Sequence, residues 1–283
     1  MGMRTLGKED INFAVSLTIE EGWYYTPAEI ELMLKLDPEG SFVYEEEEPL
    51  GVATCVTYGR TGVLGHLIVS KKGRGRKIGH SLVDAAINYM EGKGAESILV
   101  HATEEAVKLY QNHGFTISDV TSCMHLRLDS RHHRNPSEAC TQLERSELPE
   151  VIDIDRRLFG DDRSRLIKLL YDESPERAFK IGCAGSIVGF IFGRPDHVGY
   201  NLGPWVCLIG DERDAEALFR TVVSTFPDGK VYMGAFTSNL TALKIADQLP
   251  PINTWQITLM TKGKRRYHAD TNKVFGIAAY ELG

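Results

Sequence analysis

The stretch Val69–Leu82, with the sequence VSKKGRGRKIGHSL, joins an apolar run to an amphipathic segment through a basic loop that contains glycine. The run Leu64–Val69 is predicted to be a buried strand, and apolar residues recur at helical spacing from Ile78 to Met90. This succession suits pyrophosphate binding, because N–H groups at a helix N-terminus carry partial positive charge and glycine permits close approach. Taken alone, the loop is also compatible with a solvated basic surface or a short nucleic-acid-binding tract.

The loop resembles the cofactor signature of the GNAT (Gcn5-related) N-acetyltransferases, Arg/Gln-x-x-Gly-x-Gly/Ala, in its usual extended form. The matching positions are Val69, Arg74, Gly75, Ile78, Gly79 and Leu82. The chain departs from the pattern at Lys77, which stands where a glycine is usual, although its backbone N–H can still donate. The resemblance implies that acetyl-CoA is the cosubstrate, bound by Leu67, Ile68, Val69, Arg74, Gly75, Arg76, Lys77, Ile78, Gly79 and His80.

A second segment strengthens the resemblance. After a predicted strand over residues 96–102, Ala106–Phe115 reads AVKLYQNHGF, which is similar to the second GNAT signature, Ala-x-x-Leu-Tyr-x-x-x-Gly-Phe. Acidic residues in the first turn and Gly114 after the last turn predict a helix here. Two signatures in the right order, separated by one helix and one strand, make a chance match improbable.

The resemblance implies direct attack of an amine on the acetyl group, with Tyr110 as the acid that protonates the departing CoA thiolate. A phenol with a pKa of about 10 can protonate a thiolate with a pKa of about 8.5. For the base, His66 stands on the strand position where many family members have glutamate, and His101 on the next strand is a second candidate. Packing roles for Tyr110 and His66 stay open as alternatives.

The residues before the loop predict the rest of one domain. Helices are predicted over 11–21 and 27–37, the second with Thr26, Pro27 and Glu29 as its start signals. A hairpin is predicted over 41–58, with the acidic run Glu45–Glu48 interpreted as a solvated turn rather than a cation site. The order β-α-α-β-β-β-α-β-α-β over residues 1 to about 130 is the order that the GNAT resemblance implies.

The second half repeats this order of elements, and its segment Gly203–Val206 and its ending resemble the YitH-like two-domain acetyltransferases. The fold class is therefore predicted as α+β (α/β), with two tandem GNAT-like domains, each a mixed, mostly antiparallel sheet flanked by helices. The predicted domains are 1–130 with the acetyl-CoA site, a linker over 131–138, and 139–283 without the CoA signature. Carboxylates at 211, 212 and 214 occupy the place of the basic loop in the second half and would repel a pyrophosphate.

Composition limits the function classes. The chain has 283 residues, enough for two cores, and its net charge of −7 argues against a dedicated nucleic-acid binder. The sequence has neither an apolar stretch of about 20 residues nor the apolar core of a signal peptide, so a cytoplasmic protein with no membrane partner is expected. No metal is expected, because nothing near His132-His133 completes a site, and the pair is interpreted as part of the linker.

The acceptor is expected to be an amine of a small molecule or peptide, and the chain a monomer or homodimer. In the GNAT family, the segment between the first two helices borders the acceptor cleft. Here that segment is Glu20–Tyr25, and its acidic and aromatic side chains would suit a cationic amine. Ordinary packing of this helix end is an equal alternative. A non-catalytic acyl-CoA sensor or scaffold is the rival hypothesis from another class.

Overall fold

The structure is a computed structural model that describes residues 2–23, 25–129, 136–196, 199–209, 211–263 and 270–283. Its strands are β1 (Gly2–Thr5), β2 (Ser41–Glu45), β3 (Pro49–Tyr58), β4 (Thr61–Val69), β5 (Ser97–Ala102), β6 (Thr116–Leu128), β7 (Cys140–Gln142), β8 (Ala178–Cys183), β9 (Ser186–Asp196), β10 (Gly199–Cys207), β11 (Gly229–Phe236), β12 (Pro251–Gly263) and β13 (Val274–Gly276). Its helices are α1 (Ile11–Glu20), α2 (Pro27–Leu36), α3 (Ile78–Gly92), α4 (Glu104–Asn112), α5 (Leu148–Phe159), α6 (Ser164–Glu173), α7 (Glu212–Ser224) and α8 (Leu240–Ala246). None of the helices described is both long enough and apolar enough to span a membrane.

Residue contacts divide the described chain into two compact units. The first comprises the described residues of 1–118, 258–267 and 280–283, and the second those of 119–257 and 268–279. The sequence-continuous domains 1–130 and 139–283 stay a prediction, and most of the predicted linker 131–138, including His132-His133, lies outside the described residues. The last strand ends at Gly276, and the final segment Tyr280–Gly283 belongs to the first unit.

In the first unit, one sheet has the order β1-β2-β3-β4-β5, followed by the part of β12 from Thr258 to Gly263. Neighbouring strands run antiparallel, except that β4 and β5 are parallel. Along β4, Ile68 packs among residues of α1 and α2, whereas Val69 packs among residues of α3. Since successive side chains of a strand point to opposite faces, α1 and α2 cover one face and α3 covers the other.

The start of α2 forms as its sequence predicts. The Thr26 N–H donates to Glu29 Oε2 over 2.7 Å, and the Glu29 N–H donates to Thr26 Oγ1 over 3.3 Å. This reciprocal pair satisfies two backbone donors that a helix leaves unpaired, and Pro27 occupies a first-turn position where its missing N–H costs nothing. The start signals at Thr26, Pro27 and Glu29 are therefore confirmed.

Within the second unit the strands have the order β6-β11-β10-β9-β8-β7, with β13 paired to β10. In the described part of this unit, β10 and β11 are parallel over Gly199–Asn201, and the other ladders are antiparallel. Its core contains Trp205, which lies against Phe219 with ring centroids 5.4 Å apart and against Phe275 at 5.1 Å. The predicted fold class, α+β with mostly antiparallel sheets flanked by helices, is confirmed.

Candidate functional site

The basic loop connects β4 to α3 in the first unit, and its backbone is suited to an anion. Gly75 has a φ of +75° and Lys77 a φ of 62°, so both adopt the left-handed conformation. Lys77 is the residue before the first turn of α3, and its side chain makes no capping hydrogen bond. The first N–H groups of α3, from Ile78 to His80, are therefore left without a side-chain cap, which is the arrangement that binds phosphate groups.

Gly79 is a glycine that packing within the chain does not require. A Cβ atom placed there would meet Leu109 Cδ2 at 3.7 Å and Val69 Cγ2 at 3.8 Å, which are ordinary contacts. By contrast, a Cβ atom at Gly73 would lie 2.9 Å from Val69 Cγ1 and 3.0 Å from Ile78 Cδ1. Because alanine is the better helix former, a glycine at position 79 fits a backbone that a ligand approaches closely.

We expect Gly79→Ala to separate stability from cofactor binding. The free energy of unfolding is expected to stay within about 1 kcal/mol of the original or to rise, because alanine favours the helix. The affinity for CoA is expected to fall about threefold, equivalent to about 0.7 kcal/mol, because the methyl group restricts the approach of the phosphate to the N–H groups. The loss is small because the signature that the loop resembles accepts alanine as well as glycine at this position. Urea unfolding and isothermal titration with CoA measure the two quantities.

The matched control is Gly92→Ala at the other end of α3, where an added Cβ atom meets nothing within 4 Å. It is expected to leave the affinity for CoA unchanged. Equal affinities for Gly79→Ala and the original protein would remove Gly79 from the site.

Three cationic side chains of the loop form ion pairs with glutamates. Arg74 pairs with Glu21 at the end of α1, Arg76 Nη2 lies 2.5 Å from Glu46 Oε1, and Lys72 Nζ lies 2.7 Å from Glu48 Oε1. Pairing with Glu48 raises the pKa of Lys72, and pairing with Arg76 lowers the pKa of Glu46. The acidic run between β2 and β3 is therefore more than a solvated turn. Exposed pairs of this kind are weak, so a phosphate can compete for these cations.

The middle of β4 contains a β-bulge at His66 and Leu67. Val52 of β3 lies opposite Ile68 and Thr54 lies opposite Gly65, so two residues of β4 face the single residue Ala53. His66 has a φ of 43°, an unusual value for a residue with a side chain. The bulge changes the direction of the β4 edge just before the basic loop. The apolar pattern of the strand does not indicate a bulge at this position.

Beyond the bulge, β4 separates from β5. Among the described residues, the parallel ladder joins Thr61–Leu64 to Ser97–Val100 and goes no further. The β4 backbone from Gly65 to Val69 therefore has no β5 partner. Apart from the Val69 carbonyl, which accepts from Arg74, its N–H and C=O groups on that side are available to an extended ligand. The structure places the predicted binding residues Leu67, Ile68 and Val69 in this segment.

His66 is buried beside the bulge. Its Nδ1 lies 2.9 Å from Thr54 Oγ1, and its ring lies edge-on to that of Tyr25 with centroids 4.4 Å apart. Its Nε2 is buried and has no hydrogen-bond partner in the part of the chain that the structure describes. Burial lowers the pKa of His66, partly opposed by the charge of Glu281, so the ring is neutral near pH 7 and can accept a proton.

Tyr110 lies in α4 and packs into the core between α3, α4 and the sheet. Its ring lies 5.5 Å from that of Phe115, and it belongs to the same buried cluster as Leu64 of β4 and Ala102 of β5. No hydrogen bond joins its hydroxyl to another described residue. Burial raises the pKa of Tyr110, so the phenol keeps its proton at physiological pH. The hydroxyl is therefore protonated and, among the described residues, is not part of a structural hydrogen-bond network.

Other predicted residues have packing or hydrogen-bonding roles as well. The side chain of Ile78 is buried, so only its backbone faces the loop. His80 Nδ1 lies 2.9 Å from His113 Nε2, and His113 Nδ1 lies 3.0 Å from Asp84 Oδ1. The Arg74 Nε–H donates to the Val69 carbonyl over 3.2 Å, which ties the loop to the end of β4.

His101 lies in β5, close to the segment Tyr280–Gly283. Its Nδ1 is 2.9 Å from the Tyr280 carbonyl oxygen, and the two rings meet edge-on at 5.2 Å. Its Nε2 is buried and unpartnered among the described residues, although part of the side chain remains accessible. Burial lowers the pKa of His101 to about 4, so the neutral ring donates its Nδ1–H to Tyr280. This geometry favours a role in holding the 280–283 segment.

The depressed pKa of His101 predicts how stability depends on pH. The unfolded chain binds a proton at this ring below about pH 6.5, whereas the folded protein does so only near pH 4. Between these values the unfolded state binds more protons, so the free energy of unfolding falls as the pH falls, by up to about 3 kcal/mol. In His101→Asn, the asparagine Nδ2 replaces the histidine Nδ1 as hydrogen-bond donor. We expect the free energy of unfolding of this variant to fall less steeply as the pH falls. Urea unfolding from pH 7.5 to 4.5 measures both slopes, and parallel slopes would contradict this origin.

Two residues of this region were missed by sequence reasoning. Thr54 and Glu281 lie next to His66, but one comes from β3 and the other from a segment more than 200 positions away along the chain. The only sequence signal for Glu281 is that it is a carboxylate in an otherwise apolar ending. Tyr25, which also contacts His66, was anticipated as part of the acceptor border; its neighbour Tyr24 lies outside the described residues.

The matching junction of the second unit lacks these features. After β10, Asp211 precedes the first turn of α7, and its carboxylate accepts the Arg213 N–H over 2.8 Å. The N-terminus of α7 is thus capped by the chain's own anion, where α3 is open. Over the described residues, neither unit contains a group of three or more His, Cys, Asp or Glu side chains arranged to hold a metal ion.

Comparison with known proteins agrees with this geometry. Residues 12–115 match the model of the acetyltransferase (GNAT) family, and residues 151–276 match a second model, an acetyltransferase (GNAT) domain. No curated protein matches the sequence significantly. Similar solved structures include a candidate acetyltransferase from Pyrococcus horikoshii, with a TM-score of 0.81 at 20% identity, covering 99% of this chain and 95% of the other.

Two further structures share the fold over most of the chain. A GCN5-related N-acetyltransferase from Sphaerobacter thermophilus has a TM-score of 0.69 at 14% identity, covering 95% of this chain and 97% of the other. One from Anabaena variabilis has a TM-score of 0.59 at 12% identity, covering 92% of this chain and 71% of the other. With two family models matched in succession and the fold shared end to end, the chain belongs to the GNAT acetyltransferase family and contains two GNAT domains in tandem.

Proposed function

We propose that this chain is an N-acetyltransferase that transfers the acetyl group of acetyl-CoA to an amine by direct attack. The observation that carries the proposal is the uncapped, glycine-containing N-terminus of α3, which the basic loop joins to the stretch of β4 that has no β5 partner among the described residues. The first feature suits a pyrophosphate, and the second suits the extended, amide-containing arm that follows it in CoA. The enzyme acts in the cytoplasm as a monomer or homodimer.

In this proposal the loop binds the phosphates. The N–H groups from Lys77 to His80 donate to the pyrophosphate, and Arg74 and Arg76 exchange their glutamate partners for phosphate oxygens. The exposed backbone from Leu67 to Val69 pairs with the pantetheine arm as a neighbouring strand would. The thioester then reaches the bulge at His66, where β4 and β5 diverge.

The chemical step needs one base and one acid. The amine gives a proton to His66 Nε2 and attacks the carbonyl carbon, forming the C–N bond. The C–S bond breaks, and Tyr110 donates its hydroxyl proton to the CoA sulfur. Within the described ranges, His66 Nε2 has no hydrogen-bond partner, which suits it to the first task. The protonated hydroxyl of Tyr110 makes no hydrogen bond to a described residue, which suits it to the second.

The proposal is tested by incubating the purified chain with acetyl-CoA and a panel of amines and peptides. Release of CoA is followed with a thiol-reactive dye, and the acetylated product is identified by mass spectrometry. Isothermal titration is expected to give one acetyl-CoA bound per chain, because the start of α7 is capped by Asp211. Binding without CoA release over the whole panel would favour the non-catalytic acyl-CoA sensor, and absence of binding would refute both.

A further inference from the structure

The segment Tyr280–Gly283 places a carboxylate beside the bulge of β4. Glu281 is only 7% exposed, and a Cβ atom at Gly65 would lie 2.4 Å from Glu281 Cβ and 3.0 Å from its Cα. The absence of a side chain at Gly65 therefore makes the room that Glu281 occupies. The bond from His101 Nδ1 to the Tyr280 carbonyl fixes the same segment from β5.

The Glu281 carboxylate has little compensation for its burial. The Tyr25 hydroxyl donates to Glu281 Oε2 over 2.9 Å. Within the described ranges, no lysine or arginine lies within ion-pair distance of this carboxylate. Burying a carboxylate without a cation is unfavourable, and one phenol hydrogen bond offsets only part of the cost. The fold thus keeps a negative charge where a positive ligand would be stabilised.

A second hydrogen-bond acceptor, on the ring of His66, lies next to the Glu281 carboxylate. His66 Nε2 is buried and unpartnered among the described residues, and the ring of Tyr25 touches the His66 ring while its hydroxyl reaches Glu281. With the His66 proton on Nδ1, facing Thr54, Nε2 presents a lone pair. A carboxylate, a lone pair and an aromatic ring together match a primary ammonium group, which has three N–H donors and one positive charge.

We propose that Glu281, Tyr25 and His66 bind the ammonium group of the acceptor, which is a cationic primary alkylamine. The inference rests on the proposed acetyl transfer and names its substrate class. Glu281 holds the charge, one ammonium proton passes to His66 Nε2, and the neutral nitrogen then attacks the thioester. The second proton that the nitrogen loses on forming the amide replaces the one that Tyr110 gives to the CoA sulfur. The carboxylate that binds the ammonium group therefore comes from the 280–283 segment rather than from β4.

The test compares Glu281→Gln with the original protein on two acceptors, n-hexylamine and the uncharged aromatic amine aniline. We expect kcat/KM for hexylamine to fall at least tenfold, mainly through KM, while kcat/KM for aniline and the KM for acetyl-CoA change less than twofold. Glu91→Gln, an exposed substitution on α3, is the matched control and is expected to change neither. Equal losses for both acceptors would overturn the proposal.

A second variant and a direct binding measurement test the same site. Gly65→Ala, which displaces Glu281, is expected to show the same loss of preference for hexylamine, and Glu281→Gln is expected to keep or raise the thermal midpoint. Binding of hexylammonium is also followed without turnover, through the ring signals of isotope-labelled His66. If no amine is acetylated, the proposed function fails. If amines are acetylated but Glu281→Gln binds and prefers hexylamine as before, only the present inference fails.

Discussion

Tyr110→Phe is expected to lower kcat for acetyl transfer about 100-fold, with the KM for acetyl-CoA nearly unchanged. The change removes only the hydroxyl, so the ring still packs against Phe115 and the core of the first unit is preserved. Without the phenol proton, CoA must leave as an unprotonated thiolate, and loss of such an acid costs about 100-fold or more. An effect on kcat alone marks an interaction made in the transition state.

Tyr89→Phe is the matched control, because Tyr89 also lies beside this core but its hydroxyl donates to Asp37. It is expected to change the free energy of unfolding slightly and to leave kcat unchanged. Steady-state kinetics of both variants, with CoA release as the readout, decide the question. Undiminished kcat in Tyr110→Phe would leave the tyrosine a packing residue, and the leaving thiolate would then need another proton source.

The sequence predicts the order of helices and strands well because each signal is local. The α2 start signals at Thr26 and Pro27 act within one turn, and the loop after β4 is marked by its own glycines and cations. Which sheet a strand joins is not a local property. The apolar pattern of β12 fits either unit equally, and only the folded chain places Thr258–Gly263 beside β5.

The residues of the candidate site also fall into two groups, those with a local sequence signal and those without one. The loop and Tyr110 belong to contiguous motifs, so residue spacing identifies them. The environment of His66 depends on Thr54, Tyr25 and Glu281, which come from three separate segments. The bulge also shifts the alternation along β4, so the strand pattern alone does not predict which face His66 occupies. Spacing in one sequence therefore finds groups that act within a motif and misses partners brought by the fold.

Asp155→Ala is expected to destabilise the second unit by about 3–5 kcal/mol, because it removes a buried carboxylate that accepts two hydrogen bonds from the buried guanidinium of Arg163. Asp155 lies in α5, and its two oxygens accept from Arg163 Nη2 over 2.6 Å and from Nε over 3.1 Å. The side chains are only 3% and 7% exposed. The guanidinium also lies 4.1 Å over the ring of Phe159, so its position is fixed by packing and it cannot turn to solvent without loss.

Asp153→Ala on the same helix is the matched control, since Asp153 pairs with Arg156 over 3.0 Å but is 66% exposed. Its effect is expected to be below about 0.5 kcal/mol. Replacing both buried partners, as in Asp155→Leu with Arg163→Met, is expected to recover most of the loss, because no charge is then left unpaired. Urea unfolding of the four proteins measures this. Similar losses for Asp153→Ala and Asp155→Ala would mean that burial does not make the Asp155–Arg163 pair more important to stability than an exposed pair.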